Sequence, residues 1–205
     1  MATPHLRLGP RFAEAVSWVT DLHADQSRKG GSDVPYISHL LAVTALVLED
    51  GGDEDDAISA LCHDAVEDQG GEATLVEVRR RFGDGVADAV ALLSDSRGEP
   101  KAPWMERKRL LLAQLAGPDV PEGVLRVAAA DKLHNARTLL VQLHQEGPRV
   151  WERFRATPAQ WLWFHRSVLG VLVERHPGSA NVAELERLVD ELAAWVPEDQ
   201  VPLTA

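Results

Sequence analysis

The stretch ISALCHDAVEDQGG, residues 58–71, decides how the chain reads. It is an apolar segment that carries His63-Asp64 and then, one helical turn later, Glu67-Asp68. Carboxylates in apolar surroundings are costly unless something pairs with them. Four proton-active groups on one stripe therefore call for solvent or a cation. Residues four apart share a helix face, so the spacing predicts His63 above Glu67 and Asp64 above Asp68. That arrangement invites a division of labour, with His63 and Asp64 binding a metal while the Glu67/Asp68 pair handles a water. Taken alone, the His-Asp dipeptide reads better as a solvated helix end.

Two further stretches change the reading. PYISHLL brings His39, a polar residue, into an apolar helix. AAADKLHNARTLL places Asp131 after three alanines, with Asn135 and Thr138 four and seven residues on, along one face. A lone His on an apolar face is usually a satisfied core residue, and a lone Asp in an Ala-rich helix is usually paired with Lys or Arg. Three such stretches on three helices form a set: His39, His63, Asp64 and Asp131, two nitrogens and two oxygens. That donor set suits a borderline divalent ion such as manganese, iron, cobalt or zinc. It leaves positions open for water and substrate, as catalysis requires.

The rest of the chain is helical in period, with few strand signals. RFAEAVSWVTDLHADQ has Phe12, Val16, Val19 and Leu22 on one face. ISHLLAVTALVLED reads as a buried helix stopped by Gly51-Gly52, and the next helix opens on acidic residues that suit its dipole. TLVEVRRRFG reads as a helix capped by Thr74 and ended by Gly83. Helical patterns continue through WMERKRLLLAQLA, a long EGVLRVAAADKLHNARTLLVQLHQ and two C-terminal segments, with DSRGEPKAP as a loop. The 205 residues, 45% hydrophobic, suffice for one core, and no repeat or linker interrupts them. The expectation is a single all-α domain over residues 1–205.

Composition narrows the function. A net charge of −11 argues against a general nucleic-acid binder, which needs a basic footprint, but leaves room for a small anionic ligand held locally. No run reaches the ~18–20 apolar residues of a membrane span, and the start lacks an apolar signal stretch. A single cysteine, Cys62, fits a reducing compartment. The expectation is a soluble, cytoplasmic protein with no membrane partner.

The order His…His-Asp…Asp resembles the HD phosphohydrolase superfamily. HADQSRKG…PYISHLLAV, GGDEDDAISALCHDAVED, RFGDGVADAV, ERKRLLLAQL and ADKLHNARTL look, more specifically, like the hydrolase domain of RelA/SpoT proteins and most like the small stand-alone alarmone hydrolases. The resemblance covers roughly residues 12–142, leaving helices over 143–197 outside it. It implies that His39, His63, Asp64 and Asp131 hold a metal, usually Mn²⁺, and that Glu67 and Asp68 position and activate the attacking water. It implies further that Arg28 and Lys29 flank the purine and that Asn135 faces sugar and phosphates. The implied activity is hydrolysis of the 3′-pyrophosphate of (p)ppGpp to GDP or GTP and pyrophosphate. With no room for a synthetase domain, the resemblance implies a hydrolase only.

The chain departs from the family pattern in places. Leu40 follows His39 where Pro is usual, Gln69-Gly70-Gly71 follows the acidic pair where Thr is common, and the link Gly30–Val34 is long. Trp104 stands where close relatives often carry a Lys that meets phosphate. It reads first as hydrophobic cover and second as a wall for the nucleotide. Of the remaining residues, His23 reads as packing at a helix end, His134 as an outer neighbour of the site, Cys62 as an inert buried thiol, and Arg107–Arg109 as a solvated face from which Arg107 or Lys108 could reach phosphate. Rival readings are an HD hydrolase of (p)ppApp, NADPH or a nucleoside monophosphate, and a non-catalytic nucleotide-sensing HD module. The sensor would be expected to have lost a ligand or the acidic pair, and all six positions are intact.

Overall fold

The computed structural model describes residues 6–28, 33–98 and 100–197. It is all-α, with α1 Pro10–Leu22, α2 Ile37–Glu49, α3 Glu54–Cys62, α4 Ala65–Asp68, α5 Glu72–Phe82 and α6 Asp84–Leu93 in the first half. The second half holds α7 Trp104–Leu115, α8 Glu122–Glu146, a 3₁₀ turn Pro148–Arg153, α9 Pro158–Arg175 and α10 Ala180–Ala193. Among the described residues the only β pairing is one isolated bridge between Ser27 and Pro35.

Local chemistry sets the helix ends near the site. Gly51 stops α2 in a left-handed conformation, φ +83°, open to glycine without strain. Asp53 then begins α3 with a capping box: its side chain accepts the Asp56 N–H at 2.9 Å, and the Asp56 carboxylate accepts the Asp53 N–H at 3.3 Å. Asp56 is also held by Arg126 of α8 at 2.7 Å. The start of α5 differs from the sequence expectation. Gly71, not Thr74, occupies the N-cap, and Thr74 lies inside the first turn with its hydroxyl on the Gln69 carbonyl. The Gly70-Gly71 turn takes φ +118° and +64°, and a Cβ on Gly71 would lie 2.3 Å from the Arg97 carbonyl oxygen. Only glycine fits there.

Two apolar clusters make up the core. One joins Val19 of α1, Leu40 of α2, Ile58 and Leu61 of α3, Val78 of α5 and Val90 of α6. The other gathers Val43 and Val47 of α2, Leu115 of α7, Leu133 and Leu143 of α8, Val168 of α9 and Leu185 of α10. Helix α2 contributes to both, so its N-terminal half with His39 lies along their seam. Helix α8 packs on α2, α3, α6, α9 and α10, which delivers Asp131 to the same seam. The C-terminal helices beyond the region of family resemblance are part of this core.

Candidate active site

His39 from α2, His63-Asp64 from the α3–α4 junction and Asp131 from α8 meet at the seam. His39 Nε2 lies 3.2 Å from Asp131 Oδ1 and 3.7 Å from Asp64 Oδ2. His63 Nε2 lies 3.1 Å from Asp64 Oδ2 and 3.7 Å from Asp131 Oδ1. Ligand atoms of His39, His63 and Asp131 all fall within 4.8 Å of one another, a group that could hold a metal ion.

The imidazoles are oriented from behind. His63 Nδ1 donates to the Ala60 carbonyl at 2.7 Å, and its Nε2 is buried without a hydrogen-bond partner. An orphaned nitrogen aimed at two carboxylate oxygens is the geometry a ligand histidine needs. His39 Nδ1 meets His134 Nδ1 at 2.8 Å. Burial first, then His39, lowers His134 to about 4, so His134 is neutral. With the His39 proton on Nδ1 and given to His134, the His39 Nε2 lone pair would face the carboxylates and be free to bind an ion. His134 thus lies one shell out, as its helical angle from Asp131 implies.

The carboxylates are held too. Asp64 accepts the Tyr36 hydroxyl; burial and then Asp64 push that phenol's pKa up, so it stays a donor. Asp131 accepts Lys132 Nζ at 2.5 Å and Asn135 Nδ2 at 2.6 Å. Burial alone would raise both carboxyls. His63 outweighs it at Asp64, and Lys132 with the two histidines outweighs it at Asp131, so both stay below their ordinary values. The same carboxylates hold His63 above its ordinary value against the opposing effect of burial. The pocket favours positive charge, and the two nitrogens and one oxygen of His39, His63 and Asp131, with Asp64 beside them, are donors that fit a divalent cation.

The acidic pair diverges. Helix α3 ends at Cys62 and α4 begins at Ala65, so the unbroken stripe expected from the spacing is interrupted at His63-Asp64. The imidazole bond to Ala60 offers that carbonyl a partner outside the helical ladder. Glu67 faces α7: its Oε1 lies 3.4 Å from Arg107 and 3.9 Å from Lys101, whose Nζ donates to the Glu67 carbonyl at 2.8 Å. Behind them Asp95, its side chain fully buried, binds Arg107 and, at 2.5 Å, Lys108. Burial and then Asp95 raise Glu67 to about 6. Asp68 faces the other way and accepts Gln26 Nε2 at 2.8 Å.

Of the remaining expected residues, Arg28 and Asn135 fall near this centre. Arg28 donates to Asn135 Oδ1 at 3.0 Å and lies 5.7 Å over the Tyr36 ring. The Asn135 amide is thereby engaged on both sides, by Arg28 and by Asp131. Lys29 and Gly30–Ser32 lie outside the described residues. Arg107 and Lys108 turn inward, unlike the solvated face read from RKR; only Arg109 of the three is exposed. Trp104 packs edge-on against Trp163 and Phe164, the hydrophobic-cover role. Cys62 is buried and its thiol pKa is pushed up by burial. Sequence reasoning missed Tyr36, Asp95, Lys132 and Gln26. Tyr36 and Lys132 are neighbours in sequence of His39 and Asp131, which is the signal that could have flagged them.

The chain belongs to the HD-domain family, whose profile matches residues 15–159. Within it, the chain is similar to proteins named guanosine-3′,5′-bis(diphosphate) 3′-pyrophosphohydrolase MESH1. The Xenopus tropicalis relative is 37% identical over 128 residues, covering 62% of this chain and 68% of that one. The Homo sapiens relative is 35% identical over 147 residues, covering 71% and 76%. A solved structure of a metazoan ortholog of SpoT, which hydrolyzes ppGpp and plays a role in starvation responses, superposes with a TM-score of 0.70 at 25% identity. The match spans 93% of this chain and 98% of that structure.

Proposed function

We propose that this chain is a metal-dependent hydrolase of (p)ppGpp that removes the 3′-pyrophosphate, giving GDP or GTP and pyrophosphate. The observation that carries the reading is the convergence of His39, His63, Asp64 and Asp131, with pairwise His–Asp distances of 3.1–3.7 Å, one turn from Glu67 and Asp68. The names of the MESH1 relatives and of the SpoT ortholog support the substrate.

His39, His63, Asp64 and Asp131 hold the ion, for which Mn²⁺ is our assignment. A divalent ion there supplies Lewis acidity, which polarises a phosphoryl oxygen and acidifies water. Glu67, raised to about 6, accepts the proton of the attacking water at neutral pH, and Asp68 orients that water. The water oxygen bonds to the 3′-phosphorus, the P–O3′ bond breaks, and the 3′-oxygen takes a proton to leave as the free hydroxyl. Lys132, Arg107 and Lys108 place three positive charges beside the centre, where negative charge grows on the phosphoryl oxygens. Arg28 and Lys29 bound the purine side, and Asn135 links Arg28 to the ligand Asp131. Residues 6–197 act as one domain in this reading. A cytoplasmic setting goes with the nucleotide substrate and the lone cysteine.

The test is product analysis on metal-stripped protein, with and without added Mn²⁺, offering ppGpp, ppApp and NADPH side by side. The expected result is Mn²⁺-dependent release of GDP and pyrophosphate, lost in Glu67→Ala/Asp68→Ala. Turnover of ppApp or NADPH alone would overturn the substrate. Bound metal with no turnover of any of them would overturn the hydrolase reading.

A further inference from the structure

Asp68 is held by a chain of amides whose direction is forced. Its carboxylate only accepts hydrogen bonds, so the Gln26 atom 2.8 Å from Asp68 Oδ2 is the NH₂. The Gln26 carbonyl oxygen must then point away from Asp68. It meets Gln69 at 2.6 Å and His23 Nδ1 at 2.7 Å. Both must donate: Gln69 through its own NH₂, His23 through Nδ1–H. His23 Nδ1 also lies 3.5 Å from Gln69 Nε2, but the Gln26 oxygen at 2.7 Å is much the nearer partner, and the ring is buried with its face stacked on Tyr36 at 5.3 Å. Gln69 is held at the end of α4, where its backbone N–H donates to the Ala65 carbonyl at 3.0 Å.

We infer that Gln26 is a positioning residue for Asp68 and that Gln69, with His23, locks the Gln26 amide in the orientation that presents its NH₂ to the carboxylate. Anchoring one oxygen of Asp68 fixes the plane of the carboxylate and hence the direction of the other. A water held by that oxygen is aimed rather than merely bound, and misplacement of a reacting group by a fraction of an ångström is costly to rate. The inference rests on the hydrolase reading for its effect on rate, but the amide orientation stands independently of it.

The experiment compares Gln26→Leu, Gln69→Leu, Gln69→Glu and the double variant Gln26→Leu/Gln69→Glu with the wild type, measuring kcat and KM for ppGpp at saturating Mn²⁺. Gln69→Glu keeps the shape of glutamine, so a packing role predicts that it is milder than Gln69→Leu. The lock predicts the reverse. A carboxylate at position 69 takes the Gln26 NH₂ for itself and turns the Gln26 oxygen toward Asp68. The expected result is a fall in kcat of about tenfold in Gln26→Leu and Gln69→Glu, about threefold in Gln69→Leu, with KM within about twofold throughout. In the Gln26→Leu background Gln69→Glu should cost nothing more, because there is no amide left to turn. A charge effect acting directly on Asp68 would persist in that background and would overturn the lock. So would Gln69→Glu that matches the wild type.

A second arm reads the amide without turnover. In the ¹⁵N-labelled protein the Gln26 side-chain NH₂ should exchange slowly with solvent and lose that protection in Asp68→Ala. Protection with an inactive wild type would leave the lock standing and sink the hydrolase reading. Fast exchange in an active wild type would sink the lock and leave the hydrolase.

Discussion

Glu67 and Asp68 are adjacent in sequence yet face different neighbours, and their chemistry separates accordingly. Glu67 is raised to about 6 by burial first and by Asp95 next, with Asp64 and Asp68 adding to the rise and Lys108 opposing it. It is protonated below that value and ready to accept a proton above it. Turnover should therefore rise with pH through about 6 and level off above it. Asp95→Asn removes a negative charge that raises Glu67 and frees Arg107 and Lys108 toward it. Both effects lower the Glu67 pKa, so the acidic limb of the kcat/KM profile should move to lower pH. The same change leaves two cations short of a buried partner, at a cost of about 3 kcal/mol of stability. A limb that stays in place in a folded Asp95→Asn would show that another group sets it. Glu67→Gln should lower kcat by about 10²–10⁴, with Mn²⁺ binding retained.

At the scale of elements, the junctions carry the function. Periodicity made the longer helices legible, because an apolar face repeats every three to four residues whatever it packs against. It could not show that α3 stops at Cys62, where the His63 imidazole turns back onto the Ala60 carbonyl. Nor could it place Gly71 as the cap of α5 instead of Thr74, since the reason is the close approach of the Arg97 carbonyl from a distant loop. The convergence at the seam was legible for a different reason: His39, His63, Asp64 and Asp131 are each out of keeping with the apolar sequence around them. Tyr36, Asp95 and Gln26 were not, because a tyrosine, a loop aspartate and a glutamine at a helix end look ordinary until the fold supplies their partners. The turn after α4 gives a prediction at this scale. Gly71→Ala forces a left-handed φ on a residue with a Cβ and a backbone clash, and should cost about 2 kcal/mol or more. Urea unfolding would measure it. A variant as stable as the wild type would contradict the packing of Arg97 on this turn.

Across the whole molecule, the site lies where two cores meet, and its residues come from α2, α8 and the α3–α4 junction. Helix α8 links the two halves: Leu133 is fully buried two residues from Asp131, and Phe164 of α9 lies under both Lys132, at 5.2 Å, and Lys108, at 4.9 Å. The C-terminal helices thereby back the charged groups around the centre, a role the sequence alone did not show. A ligand that clamps three helices stabilises the fold by mass action. Mn²⁺ at about a hundredfold excess over its Kd should add about 2.7 kcal/mol and raise Tm by about 5–10 °C. Calorimetry on stripped and loaded protein would show this, and His39→Ala should abolish the shift. A shift that survives His39→Ala would put the ion elsewhere.

The most direct test of the central claim is hydrolysis of ppGpp in ¹⁸O-labelled water by Mn²⁺-loaded protein, followed by mass analysis of both products. Attack of water at the 3′-phosphorus puts one ¹⁸O in pyrophosphate and none in GDP, with the signal lost when Glu67 and Asp68 are replaced. Label in GDP, or release that is indifferent to those two carboxylates, would contradict the account.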